Sequence, residues 1–301
     1  MQYYIGIDAG GSKSNLSLYN RDLNKILERQ LPAFNFLADQ SSEKLDIIFT
    51  EIGKLKVKYN ISGIGMGVAG IDSESDSKKL KKIIAAKYPE TNIAVINDGV
   101  ACLAGALMDK SGILINSGTG SIAIGRDKKE NIFRAGGWDY IIGDEGSGYW
   151  IAMEFIRKAL LNFDRGKNGN IIEVVKNHFD ADSMEAVVNY IYSSNFNKEK
   201  VASLAEEISD LAETGNNSAL NIYKKSGRKL AELVEIVYKK GKFNGKTLLT
   251  YNGSIFKSFN LFEDEFFSYL DDNYVKYMWC EPEREPEAGA VMLVKKLEDN
   301  K

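Results

Sequence analysis

Twice along this chain an apolar strand runs into a turn of small residues and comes straight back as a second strand. Residues 3–7 (Tyr-Tyr-Ile-Gly-Ile) lead into Asp8-Ala9-Gly10-Gly11-Ser12-Lys13, and residues 14–19 then alternate polar and apolar, as a half-buried strand does. Residues 112–116 lead into Ser117-Gly118-Thr119-Gly120-Ser121, and residues 122–125 return as a strand. Gly10 and Gly118 lie 118 − 10 = 108 positions apart. A hairpin recurring at that distance predicts two copies of one α/β unit. The length of 301 residues suits two lobes of about 150 residues each.

The remaining periodicities fill in both units. In the first, residues 25–31 read as a third strand, and Ser41/Ser42 cap a helix reaching about residue 59. Strands follow at 61–68 and 92–96, with a lysine-rich helix over 77–88 and another helix over 100–108. In the second, a glycine-rich stretch at 135–148 leads into a helix over 149–162. Residues 171–240 are helical by period, broken at Gly215, Asn216 and Asn217. A strand at 246–251 precedes a helix from Ile255, then come a last strand at 274–279 and a closing helix over 287–297. No low-complexity linker separates the units. The predicted division is 1–110 and 111–286, with the helix from 287 to 301 packing back on the first lobe.

Composition removes whole classes of chemistry. The formal net charge is −3, without the basic excess of a nucleic-acid binder. Two distant cysteines, Cys102 and Cys280, cannot form a disulfide framework or a zinc cage. They read as small core fillers. The one histidine, His178, sits in a polar stretch and reads as a surface residue, so a Ser-His-Asp triad is not expected. No apolar run spans a membrane, and residues 1–8 lack a signal pattern, so a cytoplasmic protein is expected. Carboxylates, hydroxyls, backbone amides and a hard metal ion are what remain.

Those groups cluster where chemistry would need them. Asp8 ends a buried strand, and Gly10 and Gly11 let backbone amides approach an anion. Ser12 and Lys13 add donors for phosphate oxygens, and Asp8 suits a hydrated Mg²⁺ beside them. Gly118 and Thr119 repeat the device in the second unit. Each turn leads into a strand, so neither is a dinucleotide fingerprint, and no Walker loop is present. Singly, each reads equally as a plain tight turn; two at matching places point to two phosphate-gripping hairpins. Asp98, in Asn97-Asp98-Gly99, ends a strand and opens a helix. It is either a helix cap or a general base for a hydroxyl nucleophile. Gly136-Gly137-Trp138-Asp139 and Gly143-Asp144-Glu145-Gly146-Ser147 form the densest glycine–carboxylate cluster. Trp138 is expected to stack on a sugar face, with Asp144 and Glu145 accepting from its hydroxyls. The alternative is an ordered loop in which Glu145 and Ser147 cap the next helix. Asn252-Gly253-Ser254 reads as a third nucleotide turn or a plain strand-to-helix turn.

The order DxGGSK, NDG, SGTGS, GGWxxxxGDEGSGYW, NGS and PExGA resembles the N-acetylglucosamine kinase and BadF/BcrA-type ATPase group. That group lies within the actin–hexokinase–heat-shock-chaperone ATPase superfamily. The resemblance covers the whole chain and implies an α/β fold of two ribonuclease H-like lobes. ATP, Mg²⁺ and sugar would occupy the cleft between them. It implies transfer of the ATP γ-phosphoryl group to the 6-hydroxyl of an N-acetylated amino sugar. That sugar is N-acetylglucosamine, with N-acetylmuramate also accepted by some bacterial relatives. Asp8 is implied as the Mg²⁺-associated carboxylate, Asp98 as the base, and Ser12 and Thr119 as phosphate contacts. Asn35, Ser121, Ile122, Gly137 to Asp139 and Asp144 match the sugar-contacting stretch. Ala212 and Gly253 to Lys257, among them Ser254, match the adenosine side. Asp139 stands where many members carry glycine. Relatives are often homodimers; nucleic-acid and membrane partners are not implied. The alternatives are a glucosamine or glucose kinase of the same fold, an activator ATPase with a cysteine-ligated cluster, and a non-catalytic sugar sensor.

Overall fold

A computed structural model describes residues 1–37 and 42–299. The expected Ser41/Ser42 cap and the last two residues of the closing helix lie outside the described part. Two five-stranded sheets form, and their strand orders are the same. The first holds β1 (Tyr3–Ala9), β2 (Ser14–Asn20), β3 (Lys25–Leu31), β4 (Ile61–Val68) and β5 (Asn92–Asn97), in the order β3-β2-β1-β4-β5. Its helices are α1 (Ser42–Lys58), α2 (Glu74–Lys87) and α3 (Asp98–Leu107). The second holds β6 (Gly112–Ser117), β7 (Ser121–Arg126), β8 (Ile132–Gly136), β9 (Thr247–Asn252) and β10 (Tyr277–Trp279), in the order β8-β7-β6-β9-β10. In each sheet the first three strands are antiparallel and the last two join in parallel.

Helices α4 (Gly148–Asp164), α5 (Asn170–Phe179), α6 (Met184–Ile191), α7 (Lys198–Glu213) and α8 (Asn217–Lys240) fall between β8 and β9. A 3-10 helix (Ser254–Leu261) and α9 (Glu263–Asp272) lead to β10, and α10 (Pro286–Asp299) closes the chain. The 3-10 turn replaces the α-helix expected from Ile255, with Ser258 breaking the helical angles. The last strand is shorter than expected because Tyr274, at φ +58°, turns out into solvent. Strand β8 was not foreseen. No described helix is long and apolar enough to cross a membrane.

One face of the first sheet is covered by α1 and α2, where Leu45, Ile48, Ile52 and Leu80 meet Ile5, Ile7, Leu16 and Ile64. The other face carries glycines along its middle, at Gly6, Gly63 and Gly65. A Cβ at Gly6 would sit 2.2 Å from the Glu287 carbonyl, and one at Gly65 would sit 2.1 Å from that of Ala290. Helix α10 therefore lies directly on backbone, with Val291 and Val294 beside Tyr4 and Tyr19. The helix following the first sheet makes the reciprocal move. From α3, Cys102, Leu103 and Leu107 pack against Leu114 and Ile124 of the second sheet. The far face of that sheet meets α4, α7 and α8 in the largest core. Helices α3 and α10 thus pack on each other's sheets and cross between them. A Cβ on Gly289 would lie 2.1 Å from the Ala101 carbonyl and 2.3 Å from the Gly105 nitrogen.

Two lesser expectations need correcting. His178 is not a surface residue: its side chain is 9% exposed and held at 2.7 Å by both Glu207 and the Lys200 carbonyl. Cys102 is buried as expected, but Cys280 is only half-buried. The aromatic run 259–269 is core, with Phe259 and Phe266 against Trp279 and Phe262 edge-on to Phe259.

Candidate functional site

The two hairpins meet. Ser12 Oγ lies 3.2 Å from Thr119 Oγ1, two hydroxyls from equivalent turns of the two sheets. The first turn closes through the Gly10 N–H donating to the Lys13 carbonyl at 3.1 Å, leaving Gly11 and Ser12 exposed. The second closes through Gly118 N–H to the Gly120 carbonyl at 2.9 Å. The turn after β9 rests on it. Gly253, at φ +100°, would place a Cβ 2.1 Å from the Ser117 carbonyl oxygen, so only glycine fits there.

Beside the hairpins opens a cavity of about 570 Å³. Ser12, Gly118, Thr119, Ser254 and Lys257 line it, five of the residues assigned to the nucleotide. Ala212 does not; it is buried in the core of the second unit. The wall that α7 gives the cavity runs from Glu199 through Ala202, Ala205, Glu206 and Ser209 to Asp210, and Ala212 lies beyond it, at the C-terminal end of the helix. Ser209 and Ser258, hydrogen-bonded at 2.7 Å, also line the cavity and went unforeseen. The recurrence of polar residues along α7 was the available signal.

Asp98, at the end of β5, lies close enough to Asp8, which leads into the first hairpin, for the two charges to act on each other. Asn97 is the cap of α3, its Oδ1 accepting the Gly99 N–H at 3.0 Å. The capping role is therefore taken, and Asp98 is left as the first helical residue. Burial raises its carboxyl above the usual range, and Asp72 adds to the rise, while the Gly99 and Asp98 N–H groups pull it down. Next to it, Asn97 Nδ2 donates to the Ile71 carbonyl. Asn35 is bridged to Ala69 beside that segment, and its Oδ1 accepts the Leu37 N–H at 3.0 Å. Gly70, at φ +79°, leaves room for that side chain.

The residues assigned to sugar from the second unit are also contiguous. Asp144, 4% exposed, accepts the Ser121 N–H at 3.3 Å. Gly137 donates to the Ser121 carbonyl at 2.9 Å and packs on Ile122. Ser147 caps α4 by accepting the Trp150 N–H; Glu145 does not. Trp138 is 63% exposed, but one face of its ring already carries the Arg134 guanidinium at 4.3 Å. Asp139 pairs with Lys198 at 2.7 Å. Arg134 also reaches across the cleft to Asp72, at 3.4 Å. Arg134, Lys198 and Asp72 were not readable from the sequence, because their contacts are made between elements far apart in the chain.

Asp8 lies between these regions. Burial, then the charges of Glu287 and Asp98, push its carboxyl up to about 7, against a small lowering by Lys13. Glu287, 2% exposed at the start of α10, is itself raised by burial. No three described His, Cys, Asp or Glu side chains converge into a metal cage. A carboxylate pressed by two others without a cage fits a cation held mainly by water and phosphate, as Mg²⁺ is. The sign of the pH effect follows. The fold binds the Asp8 proton more tightly than the unfolded chain does. That contribution is complete below about pH 4 and is lost as pH rises toward 7. Compared with Asp8→Asn, the nucleotide-free wild type should lose more melting temperature across that window. Parallel melting curves would refute it.

The sequence profile of the BadF/BadG/BcrA/BcrD ATPase family matches residues 5–294. The N-acetylmuramic acid/N-acetylglucosamine kinase of Clostridium acetobutylicum is 33% identical, covering 98% of this chain and 99% of its own. The N-acetyl-D-glucosamine kinase of Dictyostelium discoideum is 23% identical, with 97% of both chains covered. A candidate N-acetylglucosamine kinase from Chromobacterium violaceum has a similar structure. Its TM-score is 0.78 at 17% identity, over 98% of this chain and 99% of that one.

Proposed function

This chain belongs to the BadF/BadG/BcrA/BcrD ATPase family, and from that premise we propose that it phosphorylates N-acetylglucosamine at the 6-hydroxyl, using ATP with Mg²⁺. It is an ATP-dependent sugar kinase, similar over nearly its whole length to a kinase of N-acetylated amino sugars. Residues 1–110 with the helix from 287 to 301, and residues 111–286, act as the two lobes, working in the cytoplasm.

One observation carries the reading. Asp98 is a carboxylate relieved of capping duty by Asn97, beside two hairpins that touch through Ser12 and Thr119. In the proposed reaction Asp98 accepts the proton of the sugar hydroxyl while O6 attacks the γ-phosphorus in line. The new bond is O6–P; the bond to the β,γ-bridging oxygen breaks, and ADP leaves with its electron pair. Amides of residues 11–13 and 119–120, which do not close the turns, face charge on the transferring group. Mg²⁺, held near Asp8 through water, would neutralise phosphate charge when bound. Asp144, Asn35, Ser121 and the 137–139 loop hold the sugar. Glu206 and Asp210 on α7 line the cavity and would receive the ribose hydroxyls.

The test is a coupled ADP-release screen with N-acetylglucosamine, N-acetylmannosamine, glucosamine and glucose, followed by ³¹P NMR of the product. N-acetylglucosamine should give the highest kcat/KM, with phosphate on O6. ADP release that ignores the sugar, or a preference for glucose, would overturn the reading.

A further inference from the structure

Two cations edge the sugar side of the cleft, and they differ in how they are used. Lys198 is committed: it pairs with Asp139 at 2.7 Å and covers the ring of Tyr140. Arg134 is positioned but weakly engaged. Its guanidinium lies over Trp138 at 4.3 Å, reaches the Gly137 carbonyl at 3.5 Å and meets Asp72 at 3.4 Å. All three contacts are long for a group with five donors that favours short, two-pronged pairing with a carboxylate. Its partner Asp72 belongs to the opposite side of the cleft, is 55% exposed, and lies close enough to Asp98 to raise that carboxyl. The ring of Trp138 fixes the plane of the guanidinium, so little side-chain freedom remains to be lost when an anion binds.

A neutral amino sugar offers this group nothing charged. A sugar whose ring bears a carboxylate arm offers a better acceptor than Asp72, which can turn into solvent. We propose that Arg134 is a specificity-determining residue that receives the carboxylate of an acidic amino sugar, of which N-acetylmuramate, the lactyl ether of N-acetylglucosamine, is the type. This rests on the kinase reading above and extends its substrate class. The arm displaces Asp72 and pairs with the guanidinium, while the hydroxyl to be phosphorylated stays with Asp98.

The experiment compares kcat/KM for N-acetylmuramate and N-acetylglucosamine in the wild type, Arg134→Gln, Arg134→Lys and Asp72→Asn. Arg134→Gln should lower the acid-to-neutral ratio by about 10- to 100-fold, the range of a hydrogen bond to a charged group. The loss should fall mainly on KM for the acid sugar. Arg134→Lys should retain an intermediate ratio, since it keeps the charge but not the fork. Asp72→Asn should raise the ratio by removing the competing anion. Added salt should raise KM for the acid sugar alone. Equal losses on both sugars in Arg134→Gln would overturn the inference. So would a wild type that phosphorylates N-acetylglucosamine but not N-acetylmuramate, which leaves the kinase reading standing. A wild type active on neither sugar overturns both.

Discussion

Asp98→Asn should lower kcat by about 10²–10⁴, the usual worth of a general base, with ATP binding unchanged. The substitution keeps shape and hydrogen-bonding reach but removes the acceptor for the hydroxyl proton. It should not disturb α3, because the cap is Asn97 and the Gly99 N–H is already satisfied there. Since burial raises the Asp98 carboxyl, the wild-type rate should also fall as pH drops through its pKa, and that limb should vanish in the variant. Near-normal sugar phosphorylation by Asp98→Asn, in protein with a wild-type melting temperature, would remove Asp98 from the mechanism. A variant that loses nucleotide affinity to the same degree would instead mark it as a cleft-shaping residue.

The second large effect is expected far from the chemistry. Gly289→Ala should destabilise the protein by about 2 kcal/mol or more, within the range for overpacked sites. Helix propensity alone predicts the reverse, since alanine is better than glycine in a helix by about 1 kcal/mol. Packing decides the sign. The added Cβ would meet the Ala101 carbonyl at 2.1 Å and the Gly105 nitrogen at 2.3 Å, both backbone atoms of α3. No side chain can rotate away to make room, so the helices must separate. Gly53→Ala in α1 is the control, because nothing lies within 4 Å of its Cβ. It should stabilise by up to about 1 kcal/mol. Thermal or urea unfolding of both variants gives the comparison, and a stabilised Gly289→Ala would show that the crossing is looser than its geometry implies.

The duplication was legible because both hairpins write it in local code: an apolar run, a small-residue turn, an alternating run. The β8 strand was not, although it is the counterpart of β3. It is only Ile132–Gly136, with a single fully buried residue, and it follows a charged turn at 127–131, so its own pattern is too short to read. Only the repeat could have supplied it. Asn97 and Asp98 show the same limit at a finer scale. Either carboxamide or carboxylate can cap a helix, and local sequence does not say which does. Trp138 was read from its own chemistry as a platform for sugar. The ring face is shared with Arg134, which comes from a strand whose existence was not foreseen. Ala212 was placed by motif alone; it lies in the core, past the last α7 residue that lines the cavity. Residues whose role depends on one element's rhythm were readable. Those whose role depends on two elements meeting were not.

The exchange of α3 and α10 bears on how such a chain matures. During synthesis the strands of the first sheet emerge early, but the helix that covers their glycine-lined face, Pro286–Asp299, emerges only after every strand of the second sheet. For most of translation Gly6, Gly63 and Gly65 present bare backbone, beside Tyr4 and Tyr19, with no partner yet made. The early half therefore cannot finish by itself, and its closure is a contact of very high sequence separation, which slows folding. A nascent chain stalled before residue 286 should stay protease-sensitive and prone to sticking to its neighbours. Native resistance should arrive in one step when α10 docks.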